Sequence, residues 1–106
     1  WNIDTENIPS NVDAIMSVDV GGLPVDYDKL KKRKIPILAD SAESLGSLYN
    51  NKLIGSQADI HTYSFQRSKI ITSGEGGMIA VLGVTVDDIE HLLKENQNNL
   101  HSFYAL

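Results

Sequence analysis

The sequence predicts an α/β fold, a mainly parallel sheet with flanking helices. Two observations carry this. Short apolar runs at 14–20, 35–40, 60–65 and 78–82 alternate with helical patterns at 25–34 and from Val86 onward, the signature of strands packed against a helix layer. The run at 35–40, Ile-Pro-Ile-Leu-Ala-Asp, is apolar almost throughout, as expected when both faces of a parallel strand are covered.

Each element has a local reason. The first strand, 14–20, is closed by Gly21-Gly22. The helix at 25–34 has Asp26 as its N-cap and Leu30 facing inward. Pro36 sits at the entry of the second strand, where a missing N–H costs least. A helix is expected to begin at 41–47 and to stop early at Gly46. Residues 48–54 read as a small hairpin turning at Asn50-Asn51, because Asn tolerates positive φ. In the third strand, Ile60, Thr62 and Ser64 fall on one side and His61, Tyr63 and Phe65 on the other. A polar loop, Gln66-Arg67-Ser68-Lys69, and a glycine cluster, Ser73-Gly74-Glu75-Gly76-Gly77, precede the fourth strand. Beyond it, Ile89, Leu92, Leu93, Leu100, Phe103 and Tyr104 share one helical face. Thr85 and Asp88 resemble a capping box at its start.

Composition excludes several functions. At 106 residues the chain is one domain or a piece of one. The absence of cysteine rules out disulfides, cysteine zinc sites and a thiol nucleophile. Nor do His61, His91 and His101 have metal-ligand spacing. A net charge of −5 argues against nucleic acid. The one basic run, Lys29 to Lys34, suits a solvated helix end. No apolar stretch approaches a membrane span. The polar, acidic start lacks a signal-peptide pattern, so a cytoplasmic protein is expected. The first residue is Trp1 rather than Met, so a trimmed or longer parent chain is expected.

In open α/β sheets, ligands gather beyond the carboxyl ends of the strands. That rule selects Asp19-Val20-Gly21-Gly22, Asp40-Ser41-Ala42-Glu43, and the stretch from Ser64 to Lys69. A carboxylate at Asp40 has two uses there, capping the next segment or pairing with a cationic ligand atom. Lys69 fits either a solvated surface charge or a desolvated amine able to form a Schiff base. The Ser64 hydroxyl can donate to a phosphate. The glycine cluster is neither a P-loop nor a dinucleotide fingerprint, since both spacings are absent.

Five linked segments resemble a known family. Residues 37–47, I-L-A-D-S-A-E-S-L-G-S, are similar to the E-D-A-A-x-A/S-L-G-A segment of the DegT/DnrJ/EryC1/StrS sugar aminotransferases. Residues 49–56, Y-N-N-K-L-I-G-S, resemble their Y-K-G-K-x-V-G-S hairpin. Residues 59–69, D-I-H-T-Y-S-F-Q-R-S-K, resemble D-I-x-x-F-S-F-x-x-x-K. Residues 70–78, I-I-T-S-G-E-G-G-M, resemble x-I-T-T-G-E-G-G-M. Upstream, 12–26 resembles x-x-A-I-I-P-V-H-L-Y-G-x-P-A-D. The likeness runs over about residues 1–80, in order and with spacings kept.

The resemblance implies a pyridoxal 5'-phosphate enzyme of the aspartate-aminotransferase fold (fold type I), with 1–80 as the central segment of the large, cofactor-binding domain. The remaining stretch, 81–106, is a divergent helical segment. By position Lys69 matches the lysine that forms the Schiff base and shuttles the proton. Asp40 matches the carboxylate on the pyridinium nitrogen, Glu43 the residue against the ring, and Ser64 the hydroxyl on the cofactor phosphate. The implied reaction moves an amino group, commonly from glutamate, to a keto-sugar nucleotide. Related dehydratases carry His where this chain has Lys69, so the resemblance favours transamination. Two departures stand out, Asp19 in place of the usual His and Gly21 in place of the usual Tyr. Family members are several times longer and complete their site across a homodimer interface. The opposing expectation is a truncated, inactive remnant kept as a folding or association module, its open sheet edge seeking a partner.

Overall fold

The computed structural model describes residues 1–83. Four strands form one sheet in the order β1-β2-β5-β6: β1 (Ile15–Val18), β2 (Ile37–Asp40), β5 (Ile60–Ser64) and β6 (Gly77–Val81). A separate hairpin pairs β3 (Leu48–Tyr49) with β4 (Lys52–Leu53). The β1–β2 and β2–β5 pairs are parallel, and β5–β6 is antiparallel. The sheet is therefore mixed and mostly parallel.

Pleating divides the sheet into two unlike faces. Ile15, Ile37, Ala39, His61 and Tyr63 point to one side and are buried. That side is covered by α1 (Tyr27–Lys31), whose Tyr27 and Leu30 are wholly buried. On the other side Met16, Val18 and Ile79 are exposed, while Leu38 and Thr62 are half-buried. Covering of both faces, expected from the apolar run at 35–40, is thus found on one face only among the described residues.

Several boundaries move, each for a physical reason. The helix expected over 25–34 shrinks to five residues. Asp26 caps it as expected, accepting the Lys29 N–H at 3.1 Å. It ends early because the chain turns left-handed at Lys34 (φ 56°) ahead of Pro36. The first strand stops at Val18, and Val20–Gly22 forms a 3-10 turn with Gly21 and Gly22 at φ 62° and 80°. No helix forms at 41–47. The Ser41 N–H bonds instead to the Thr62 carbonyl of β5, and the Ala42 N–H to the Asp40 side chain. Gly46, at φ 86°, closes the second of two turns. The hairpin forms as read, with Asn50 and Asn51 at φ 49° and 61°. Those two positive angles are what a type I′ turn needs. The helix expected from Val86, and the body of the 81–106 segment, lie outside the described residues.

The basic run is partly engaged. Lys29 Nζ lies 2.7 Å from Glu6, and the Arg33 guanidinium donates to the carbonyls of Ile8 and Pro9. These bonds tie the N-terminal strap to α1 rather than presenting a bare cationic face.

One glycine of the cluster is needed by packing. A Cβ at Gly77 would lie 2.8 Å from the Tyr63 carbonyl oxygen across the β5–β6 pair. Gly77→Ala is expected to cost about 1–3 kcal/mol, the usual range for overpacking. Urea unfolding of the two chains measures it, and unchanged stability would show that the strands part without strain.

Candidate active site

The carboxyl ends of β1, β2 and β5 open onto one cavity of about 290 Å³. Gly21 lines it after β1, and Ala42, Glu43 and Leu45 line it after β2. Ser64 contributes at the end of β5, followed by Ser68, Lys69, Ile70 and Ile71 from the next loop. Three of the four residues expected at a site, Glu43, Ser64 and Lys69, therefore share one wall system. Asp40 does not line the cavity. It ends β2 in register with Thr62 and Val18, and its Oδ1 accepts the Ala42 N–H at 3.0 Å. The capping use of Asp40 is realised on a turn rather than on a helix. Asp40, Thr62 and Ser64 lie on the same, uncovered face of the sheet.

Lys69 is held by its loop. Its N–H donates to the Gln66 carbonyl at 2.9 Å, and the Gln66 side chain accepts from Ser68. The glycine cluster closes this loop from the far side. The Phe65 N–H donates to the Gly76 carbonyl, and the Phe65 carbonyl accepts from the Ser73 N–H and the Thr72 hydroxyl. The Lys69 side chain is 22% exposed, with Nζ 3.9 Å from Glu43 Oε1. Glu43 Oε2 in turn accepts the Gly21 N–H at 2.8 Å. A sheltered amine, a carboxylate and a hydroxyl thus converge on a space near the lower size of small-ligand pockets. That donor set suits an aldehyde-bearing, anionic cofactor. The amine can bond a carbonyl carbon, and the Ser64 hydroxyl can donate to a phosphate.

Below the cavity lies a buried polar network that the sequence reading missed. The Asp19 carboxylate accepts from the Val25 N–H and from the hydroxyls of Tyr27, Ser41 and Ser44, at 2.8–3.1 Å. Ser41 Oγ lies 2.9 Å from His61 Nδ1, while His61 Nε2 accepts the Ala58 N–H at 3.0 Å. A neutral ring that accepts at Nε2 must carry its proton on Nδ1. The order of donation is then His61 to Ser41 to Asp19. Burial, the hydrogen bond to Asp19 and its charge push the Tyr27 hydroxyl well above the usual phenol range, so it remains a donor. The signal available in the sequence was thin: Ser41 and Ser44 three residues apart, after a strand ending in Asp.

Burial lowers the His61 pKa below its ordinary 6.5, with the Asp19 charge opposing the shift. The unfolded chain therefore binds this proton at higher pH than the folded chain does. Stability then rises with pH in that window and falls as the pH drops below 6.5. Urea midpoints of the parent chain are expected to decline there, and those of His61→Gln to decline less. Parallel curves would remove His61 from the acid response.

The chain matches the DegT/DnrJ/EryC1/StrS aminotransferase family over residues 1–98. It belongs to that family. Among its relatives, GDP-perosamine synthase of Escherichia coli O157:H7 is 38% identical over 87 residues, which is 78% of this chain and 24% of the relative. The solved 3-amino-5-hydroxybenzoic acid synthase superposes with a TM-score of 0.75 at 30% identity, covering 91% of this chain and 27% of the other. Escherichia coli GDP-4-keto-6-deoxy-D-mannose-3-dehydratase, solved with hydrated PLP bound, gives a TM-score of 0.72 at 32% identity, over 88% and 25% of the two chains. The chain spans about a quarter of the length of the curated relative quoted above. Among the described residues no helix is long and apolar enough to cross a membrane. Nor do three or more His, Asp or Glu residues among them gather to hold a metal ion.

Proposed function

We propose that this chain is the central part of the cofactor-binding domain of a pyridoxal-phosphate-dependent sugar aminotransferase. The observation that carries the reading is Lys69, a sheltered amine on a cavity it shares with Glu43 and Ser64. Family membership supports it, as does the GDP-sugar named for the perosamine-synthase relative. When bound, pyridoxal phosphate supplies a sink for carbanion charge beside the amino carbon. The chain's own groups do the rest. Lys69 Nζ would bond the cofactor and carry a proton to and from the reacting carbon. Asp40, at the end of β2 outside the cavity lining, would by the family resemblance pair with the ring nitrogen and keep it protonated. Ser64 binds the phosphate. Glu43 would pack against the ring and, in the free chain, lies 3.9 Å from the Lys69 amine. The substrates are a keto-sugar nucleotide and an amino donor, glutamate by family habit, and the whole enzyme is a cytoplasmic homodimer.

Titration of the chain with pyridoxal phosphate tests this. Micromolar binding with a visible absorbance band is expected, and no binding at millimolar cofactor overturns it. A second reading has its own support: β1 and β6 are unpaired edges of the sheet among the described residues, and Met16 of β1 and Ile79 of β6 stand 70% and 67% exposed. Such edges favour an inactive association module. The same titration separates the two, because a module of that kind has no need of the cofactor.

A further inference from the structure

Asp19 follows β1 directly and is 1% exposed. Among the described residues no Lys or Arg pairs with its carboxylate. Four donors hold the charge instead, one from the segment leading into α1 (Val25 N–H), one from α1 (Tyr27 hydroxyl) and two from the turn after β2 (Ser41 and Ser44 hydroxyls). Hydrogen bonds of this kind, made to an ionised acceptor, are among the stronger neutral-donor bonds.

The two serines bracket Ala42 and Glu43. Asp40 precedes Ser41 directly, and its Oδ1 accepts the Ala42 N–H. Glu43 lines the cavity and is held by the Gly21 N–H, two residues beyond Asp19. No helix supports this turn. Ser41 N–H and the Ser44-to-Ser41 backbone bond fix its two ends, at 2.9 and 3.1 Å. Besides the Gly21–Glu43 bond and the Asp19 N–H to Asp40 carbonyl bond at 3.0 Å, the turn is drawn toward β1 by the Asp19 carboxylate, which holds both serines and lies outside the cavity lining.

We propose that Asp19 is a positioning residue: through Ser41 and Ser44 it pins the turn at 41–44 and so sets Glu43 at the cavity and the Asp40 carboxylate at the head of the turn. The effect on the turn stands by itself. Only its consequence for the cofactor rests on the function proposed above.

Hydrogen exchange followed by NMR tests both parts, in Asp19→Asn and in Ser44→Ala. The reporters are the Ala42 N–H, bonded to Asp40, and the Ser44 N–H, bonded to Ser41. The references are the Ile15 and Asp59 N–H groups, bonded to Pro36 and Ile37 at the opposite end of the sheet. In Ser44→Ala, which removes one charge-assisted bond to Asp19, the reporters are expected to exchange about tenfold faster, and in Asp19→Asn, which removes the charge from all four bonds, at least as fast, with the references unchanged in both. The dissociation constant for pyridoxal phosphate is expected to rise about tenfold as well. Reporters at parental rates, or references that quicken equally, overturn the proposal. Ser44→Ala decides the matter if Asp19→Asn does not fold. If the parent chain binds no cofactor, the function reading falls while the exchange rates still decide whether the turn is pinned. If the parent binds it and both variants bind as tightly, Asp19 does not position the site.

Discussion

Lys69→Ala is expected to reduce the visible absorbance of the chain with pyridoxal phosphate to background. The argument is one of bonds rather than contacts. Ser64 and Glu43 remain on the cavity after the substitution, so loose association of an anionic ring persists. A methyl group cannot bond the cofactor's carbonyl carbon, so the absorbance and borohydride-stable labelling both vanish. Lys69→Arg sharpens the result. It keeps a positive charge beside Glu43, now 3.9 Å from the amine, but a guanidinium does not give up its proton and is no substitute nucleophile. Loss of the band in both variants assigns the chemistry to the amine. A band that survives in Lys69→Ala would move the bond to another lysine and sink the assignment.

The fold class was legible in the sequence, and so was the neighbourhood of several candidate site residues. Asp40, Glu43, Ser64 and Lys69 emerge from ordered motifs, and three of them meet on one cavity. The Asn50-Asn51 hairpin was also readable, because positive φ is a local demand that Asn meets locally. The failures come where distant groups decide. At 41–47 the spacing favours a helix start, yet the hydroxyls of Ser41 and Ser44 turn inward to Asp19, and the Ser41 N–H joins the sheet at Thr62. Serine competes with helix by such bonds, and only a buried acceptor decides the contest.

The antiparallel direction of β6, on which the sequence reading took no position, has a local cause. Residues 65–76 connect β5 to β6 without a helix, whereas a parallel pair needs a crossover of a dozen residues or more, usually helical. The loop spends its length instead on holding Lys69, with the Gln66–Gly74 bridge drawing its limbs together. The covered face was readable in the alternation of β5, but the bare face was not. Apolar residues at Met16, Val18 and Ile79 look the same in a sequence whether a layer covers them or not.

Leu30→Ala is expected to destabilise the chain by about 3 kcal/mol, within the range for buried Leu truncations. The core is small, and Leu30 is wholly buried with Tyr27 between α1 and the sheet. A five-residue helix has no stability of its own, so packing alone keeps α1 folded. The cost is a large share of the 5–15 kcal/mol or so that holds an ordinary domain. It also reaches the site, because α1 carries one of the four donors to Asp19, the Tyr27 hydroxyl, and the segment leading into it carries another, the Val25 N–H. Loosening α1 loosens the acceptor that Ser41 and Ser44 need. Leu30→Met, which keeps the volume, is expected to cost less than about 1.5 kcal/mol and to leave cofactor affinity alone. Urea unfolding with cofactor titration on each variant separates the effects. If Leu30→Ala lost stability but bound the cofactor as the parent does under folding conditions, the link from helix to carboxylate to turn would be broken at its first step.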